Sequence, residues 1–211
     1  MAVVNDPRKG DWMQTFTGRQ FWPLDPRPDE VFIHDIAHAL ANQCRYAGHC
    51  RRFYSVAEHS VLLARAVAPE HRLWALLHDA SEAYLVDLPR PVKRYVPAYV
   101  AAERVVMDAI CRRFGLAPDI PEAVHAADYR ILRDELEQNM ASPPAPWGVQ
   151  DEQPLGVTLR FWTPDEAEFW FLTEFDALTG GRFASQMPFH NHGAQLGGAA
   201  RRAQAEAKRH G

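Results

Sequence analysis

Apolar and polar positions fall into helical registers over most of this chain. From Asp35 to Asn42 the apolar residues recur at helical spacing, and Tyr46-Ala47-Gly48 interrupts the pattern. A second helix begins near Ser55, where Ser55 followed three residues later by Glu58 has the form of a capping box, and it runs to about Ala68. Pro69 opens the next helix, and Leu73, Leu76, Leu77 and Ala80 mark one stripe from Arg72 to Tyr84. Pro89 and Pro91 break the chain again. Val92 to Phe114 reads as one or two helices stopped by Gly115, and residues 121–140 as another, opened by Pro121 and Glu122.

The exceptions lie towards the ends. Residues 12–29 alternate aromatic and polar side chains (Trp12, Phe16, Phe21, Trp22) and then meet Pro23, Pro26 and Pro28, which predicts a short hairpin and a turn. Pro and Gly predict a loop over 141–160, and Thr163-Pro164-Asp165-Glu166 caps a helix ending near Gly180. The expected fold is mostly α: an N-terminal β-hairpin-like cover over 1–29, a helical domain over 30–140, a loop and packing helix over 141–180, and a flexible tail over 181–211. Within that tail, Arg201 to Arg209 reads as a frayed helix or a disordered stretch.

Composition narrows the function classes. With 211 residues, 47% hydrophobic and 24% charged, the chain buries one substantial core and is not depleted like a disordered polymer. Its formal charge of −4 provides no global basic field for a nucleic-acid polymer, so an anionic ligand needs a local cluster. Cys44, Cys50 and Cys111 form an odd set without framework spacing, which points to a reducing, cytoplasmic setting. No apolar run approaches the ~20 residues of a membrane span, so no membrane partner is expected.

The candidate chemistry sits on the predicted helices. Glu58-His59-Ser60 lies on one, His78-Asp79 on the next and Asp128 on a later one, so that His59, His78, Asp79 and Asp128 can converge. Imidazole nitrogen with carboxylate oxygen suits one divalent transition metal such as Zn, Mn, Co or Fe, and the lack of thiolate argues against a closed structural zinc site. A lone helical histidine is more often an ordinary hydrogen-bonded residue. That reading weakens for His78-Asp79, because their helix is otherwise apolar and a buried carboxylate there needs compensation.

Glu82, four residues after His78, and Asp87, in the Val86-Asp87-Leu88-Pro89 turn, are carboxylates placed to exchange protons at such a site. Cys44-Arg45-Tyr46-Ala47-Gly48-His49-Cys50-Arg51-Arg52 brings three arginines and a histidine into one loop, a phosphate-binding composition in which an aromatic packs on a sugar or base. A zinc site from Cys44, His49 and Cys50 is the minor alternative, lacking CxxC spacing and a fourth ligand.

Three stretches resemble the HD-domain superfamily of metal-dependent phosphohydrolases: YSVAEHS (54–60), ALLHDASEAYLVDLPRPVK (75–93) and ADYRILRDE (127–135), with a weaker echo at TPDEAEFWF (163–171). They are most similar to bacterial 5′-deoxynucleotidases, and share their metal motif with small phage and bacterial deoxynucleoside triphosphate triphosphohydrolases such as dATPases. The resemblance implies an HD helical bundle with a C-terminal helical extension, and metal ligands His59, His78, Asp79 and Asp128. It further implies catalytic carboxylates Glu82 and Asp87, phosphate contacts Arg45 and Lys93, and Tyr46 beside the sugar. It implies a small nucleotide substrate, Mg where that substrate is a triphosphate, and homodimers or larger homo-oligomers.

The chain departs from the nearest pattern in a short connection from His59 to His78 and in the length of its arginine loop. Two-metal relatives need further histidines between the HD pair and the final aspartate. Here that interval holds only His125, expected to be an ordinary helix or outer residue, so a mononuclear site is expected. Alarmone hydrolysis and a non-catalytic nucleotide-binding regulator are the rival functions. The first lacks its HDxxED motif, since Ala83 follows Glu82, and the second would be marked by a missing ligand.

Overall fold

Proline and short polar side chains decide where most helices begin, and two glycines decide where two of them end. The computed structural model describes residues 8–149 and 151–183. A two-stranded antiparallel ribbon comes first, β1 (Met13–Gln14) and β2 (Gln20–Phe21), with Met13 opposite Phe21 and Gln14 opposite Gln20. Helices follow: α1 (Ile33–Asn42), α2 (Val56–Ala66), α3 (Arg72–Leu77), α4 (Glu82–Leu85), α5 (Arg90–Lys93), α6 (Pro97–Phe114), α7 (Glu122–Asn139) and α8 (Pro164–Thr179). The fold is mostly helical with a short N-terminal ribbon. Gly115 and Gly180 take the left-handed conformation that closes α6 and α8, and Thr163 with Glu166 forms the expected capping box of α8. Residues 184–211, including the proposed helix or disordered stretch over 201–209, lie outside the described residues.

Helix α2 is the centre of the bundle, packed by α1, α3, α7 and α8 and buried from Val56 to Ala64. A helix buried on every side has no solvated face for its polar residues, so each must find a partner inside. This corrects the full capping-box reading at Ser55. Its hydroxyl does accept the Glu58 N–H at 3.0 Å, but the Glu58 carboxylate turns away from the cap. It accepts the backbone N–H groups of Arg160, Phe161 and Trp162 at 2.6, 2.9 and 2.7 Å. Asp134 on α7 does the same for Leu155, Gly156 and Val157. Two carboxylates thus fasten the irregular segment before α8 to the bundle.

The predicted continuous helix from Arg72 to Tyr84 is broken. α3 ends at Leu77, and tight three-residue hydrogen bonds run from Ala80 to Leu77, Glu82 to Asp79, Ala83 to Ala80 and Tyr84 to Ser81. The apolar stripe continues through the break because Ala80 and Tyr84 still face the core, which hides it from a periodicity argument. No helix among the described residues is long and apolar enough to cross a membrane.

Candidate metal centre

The break after α3 lies where the candidate ligands are. His78 Nδ1 donates to the Ala75 carbonyl at 2.7 Å, and His59 Nδ1 donates to Glu135 Oε1 at 2.7 Å. With both Nδ1 positions engaged, each ring presents Nε2 to the same point, and the two Nε2 atoms stand 3.2 Å apart. Asp128 Oδ1 lies 3.2 Å from His59 Nε2 and 3.6 Å from His78 Nε2. His59, His78 and Asp128 form a group whose ligand atoms all lie within 4.8 Å of one another, as a metal site requires. Two imidazole lone pairs and a carboxylate oxygen directed at one point are stabilised together by a cation, so the donor set fits one.

Asp79, the fourth expected ligand, stands beside that group. Its Oδ2 is 3.1 Å from His78 Nε2 and 3.8 Å from His59 Nε2, and pairs with Arg45 Nη1 at 3.5 Å. The imidazoles are closed off, with side-chain exposures of 0% and 4%, whereas Asp79 and Asp128 are 21% and 25% exposed. The site therefore opens to solvent on its aspartate side. Burial disfavours the His78 imidazolium, but Asp79 and Asp128 outweigh it and raise its pKa; the same field attracts a divalent cation.

Glu82 is buried, and one of its oxygens, Oε2, has no hydrogen-bond partner among the described residues. Burial, then the negative charges of Asp79 and Asp87, push its carboxyl up to about 9. Asp87 is raised as well, by burial, with Arg45 opposing and Asp79 adding. Both carboxylates thus share the field of the ligand group. The chain reaches Asp87 through Val86, whose φ of 69° and ψ of 151° belong to a region used almost only by glycine. Gln43 holds this bend, donating to the Glu82 carbonyl at 3.0 Å and accepting the Asp87 N–H at 3.2 Å, while Tyr99 donates to the Val86 carbonyl at 2.5 Å.

Arg45 is buried. Nη1 meets Asp79 and Nη2 meets Glu135 Oε2 at 3.3 Å, and Nε has no partner among the described residues. Tyr46 turns inwards too, its hydroxyl donating to Glu135 Oε2, with Trp147 tilted over its ring at 5.7 Å. Lys93 pairs with Glu103 of α6 at 2.5 Å. His49 and Arg51 are exposed, and Arg52 lies over the Phe161 ring at 3.8 Å. The Cys44 and Cys50 sulfurs approach to 3.4 Å as free thiols, without His49 joining them in a metal-capable group among the described residues. His125 is an exposed residue of α7.

Sequence reasoning missed Glu135, Gln43 and Trp147. Glu135 follows Asp128 by two turns of α7 and so shares its face, a signal present in the ADYRILRDE stretch. Burial would raise its carboxyl, but Arg45 and then His59 hold it down to about 2. Gln43 and Trp147 carried no comparable signal.

No protein-family model matches the chain. It is 41% identical over 170 residues to "Uncharacterized protein YfdR" of Escherichia coli (strain K12), a match spanning 80% of this chain and 96% of YfdR. An uncharacterized protein of Rhodobacter capsulatus is 40% identical over 144 residues, 62% of this chain and 74% of that protein. With that identity over nearly the whole of YfdR, the chain belongs to the YfdR family.

Proposed function

We propose that this protein is a metal-dependent phosphohydrolase of HD type that removes the phosphate of a small deoxynucleotide, acting as a 5′-deoxynucleotidase. The observation that carries the reading is the convergence of His59, His78 and Asp128 on one solvent-open point bordered by a buried arginine and two raised carboxyls. A divalent cation held by those residues, with Asp79 beside them, supplies Lewis-acid stabilisation and a template for the phosphate. Arg45 contributes fixed positive charge for phosphate oxygens, and its Nε is free of protein partners among the described residues. Glu82, kept neutral near pH 7 by its surroundings, holds a proton for a leaving oxygen, and Asp87 lies in the same field to accept one. Tyr46 packs against the sugar, where a 2′-hydroxyl would crowd it.

The test is a turnover screen of ribo- and deoxynucleoside mono-, di- and triphosphates with added Mn, Co, Zn or Mg. Inorganic phosphate and nucleoside from a deoxynucleoside monophosphate support the reading. Tripolyphosphate and nucleoside from a triphosphate would move the assignment to a triphosphohydrolase. No release from any nucleotide, with metal bound, would remove the nucleotidase reading.

A further inference from the structure

Glu135 is a fully buried, ion-paired carboxylate behind the site. Its side chain and that of His59 are both fully buried, and its two oxygens do different work. Oε1 accepts the His59 Nδ1–H, whereas Oε2 accepts from Arg45 and from Tyr46. The second pair of contacts carries a conformational cost. Tyr46 and Ala47 stand consecutively in the left-handed region, at φ 57° and 50°, where a residue with a β-carbon loses about 1–2 kcal/mol. That paired distortion accompanies the turn bringing the Tyr46 hydroxyl to Oε2. A carboxylate present only to fill the core would need one compensating cation, which Arg45 provides. The aligned contact to a ligand imidazole needs another explanation.

We infer that Glu135 is a positioning residue for metal binding. Its Oε1 fixes His59 as the Nδ1–H tautomer with Nε2 directed at the cation, and Arg45 and Tyr46 hold Oε2 so that the carboxylate cannot rotate away. The inference rests on the metal-site part of the proposed function and is independent of the substrate. Carboxylates that orient a ligating histidine in this way change metal affinity about 10–100-fold when altered.

The experiment measures Co(II) affinity by competition with a chromophoric chelator, using full-length protein without substrate. E135Q keeps the side-chain shape and should bind Co(II) about 10–100-fold more weakly than wild type while unfolding cooperatively. Placing E135Q on an H59A background should add little further loss, because the effect passes through His59. Undiminished Co(II) affinity in folded E135Q would overturn the inference while leaving the metal site standing. A wild-type chain that binds no Co(II) would overturn both.

A second readout needs no change at position 135. In histidine-labelled wild-type protein freed of metal, ¹⁵N shifts should report His59 as the Nδ1–H tautomer with a slowly exchanging, downfield proton. An Nε2–H tautomer would overturn the inference even if E135Q failed to fold.

Discussion

Replacing Glu82 by glutamine keeps the shape of a buried side chain and removes its titration, which exposes what the site does to a carboxyl. Burial and the charges of Asp79 and Asp87 raise Glu82 from an ordinary value of 4.5 to about 9. Its folded value therefore lies above its unfolded one, so folding favours the neutral form. The stability this group contributes is fully present below pH 4.5 and is lost as pH rises towards 9. Each unit corresponds to about 1.4 kcal/mol, so a full shift costs the wild type about 3 kcal/mol by pH 7 relative to pH 4.5. Glutamine carries no such slope. In urea denaturation of protein stripped of metal with a chelator, the stability of E82Q minus wild type should climb from pH 5 to 9 and then level off. Other titrating groups are common to both proteins and largely cancel. A difference that stays flat over that range would refute the argument that this site holds Glu82 neutral, and with it the proton-donor role.

Metal analysis should find about one transition-metal ion per wild-type chain, and H78A should lose it while D87A retains most of it. Turnover by D87A should fall on the order of 10²–10⁴-fold, the usual contribution of a positioned acid or base, with near-normal rates removing Asp87 from the mechanism. R45A should weaken nucleotide turnover by roughly 1.5–3 kcal/mol per lost phosphate contact, and a change in kcat/KM below threefold would show that Arg45 serves Asp79 and Glu135 alone. V86G should raise unfolding stability by about 1 kcal/mol, since relief of roughly 1–3 kcal/mol of backbone strain exceeds the entropy glycine adds to the unfolded chain. Val86 is 63% exposed, so little packing is lost, and a destabilised V86G would contradict the strain assignment.

Much of the helical layout was legible because its punctuation is local. Pro121, Thr163 with Glu166, Gly115 and Gly180 act within a few residues of where they stand, and each marks its helix as expected. His59, His78 and Asp128 were legible as donors of the right chemistry, and the fold brings them together. The break at His78 was not, because the stripe through Leu76, Leu77, Ala80 and Tyr84 reads alike for one helix or two short turns on the same core. Glu58 read as a cap because Ser55 stands in the right place, but its partners lie more than a hundred residues away. Arg45 and Tyr46 were read as part of a phosphate-binding loop from composition alone. Their inward turn depends on Glu135, about ninety positions later, which no local pattern could reveal.

The Glu58 clamp also has a consequence for how the chain is made. The three N–H groups that receive its carboxylate lie 102, 103 and 104 residues downstream. At about 5–20 residues per second, roughly 5–20 s pass between synthesis of α2 and of the backbone that satisfies it. Until the interval closes, a helix destined for burial on all sides lacks α8 and the segment that leads into it. The nascent chain therefore spends seconds on the ribosome with the apolar surface of α2 incompletely covered and the Glu58 carboxylate held by water rather than by backbone. Shortening the protein before Arg160 removes all three donors, so truncation there should trap the chain in this immature form.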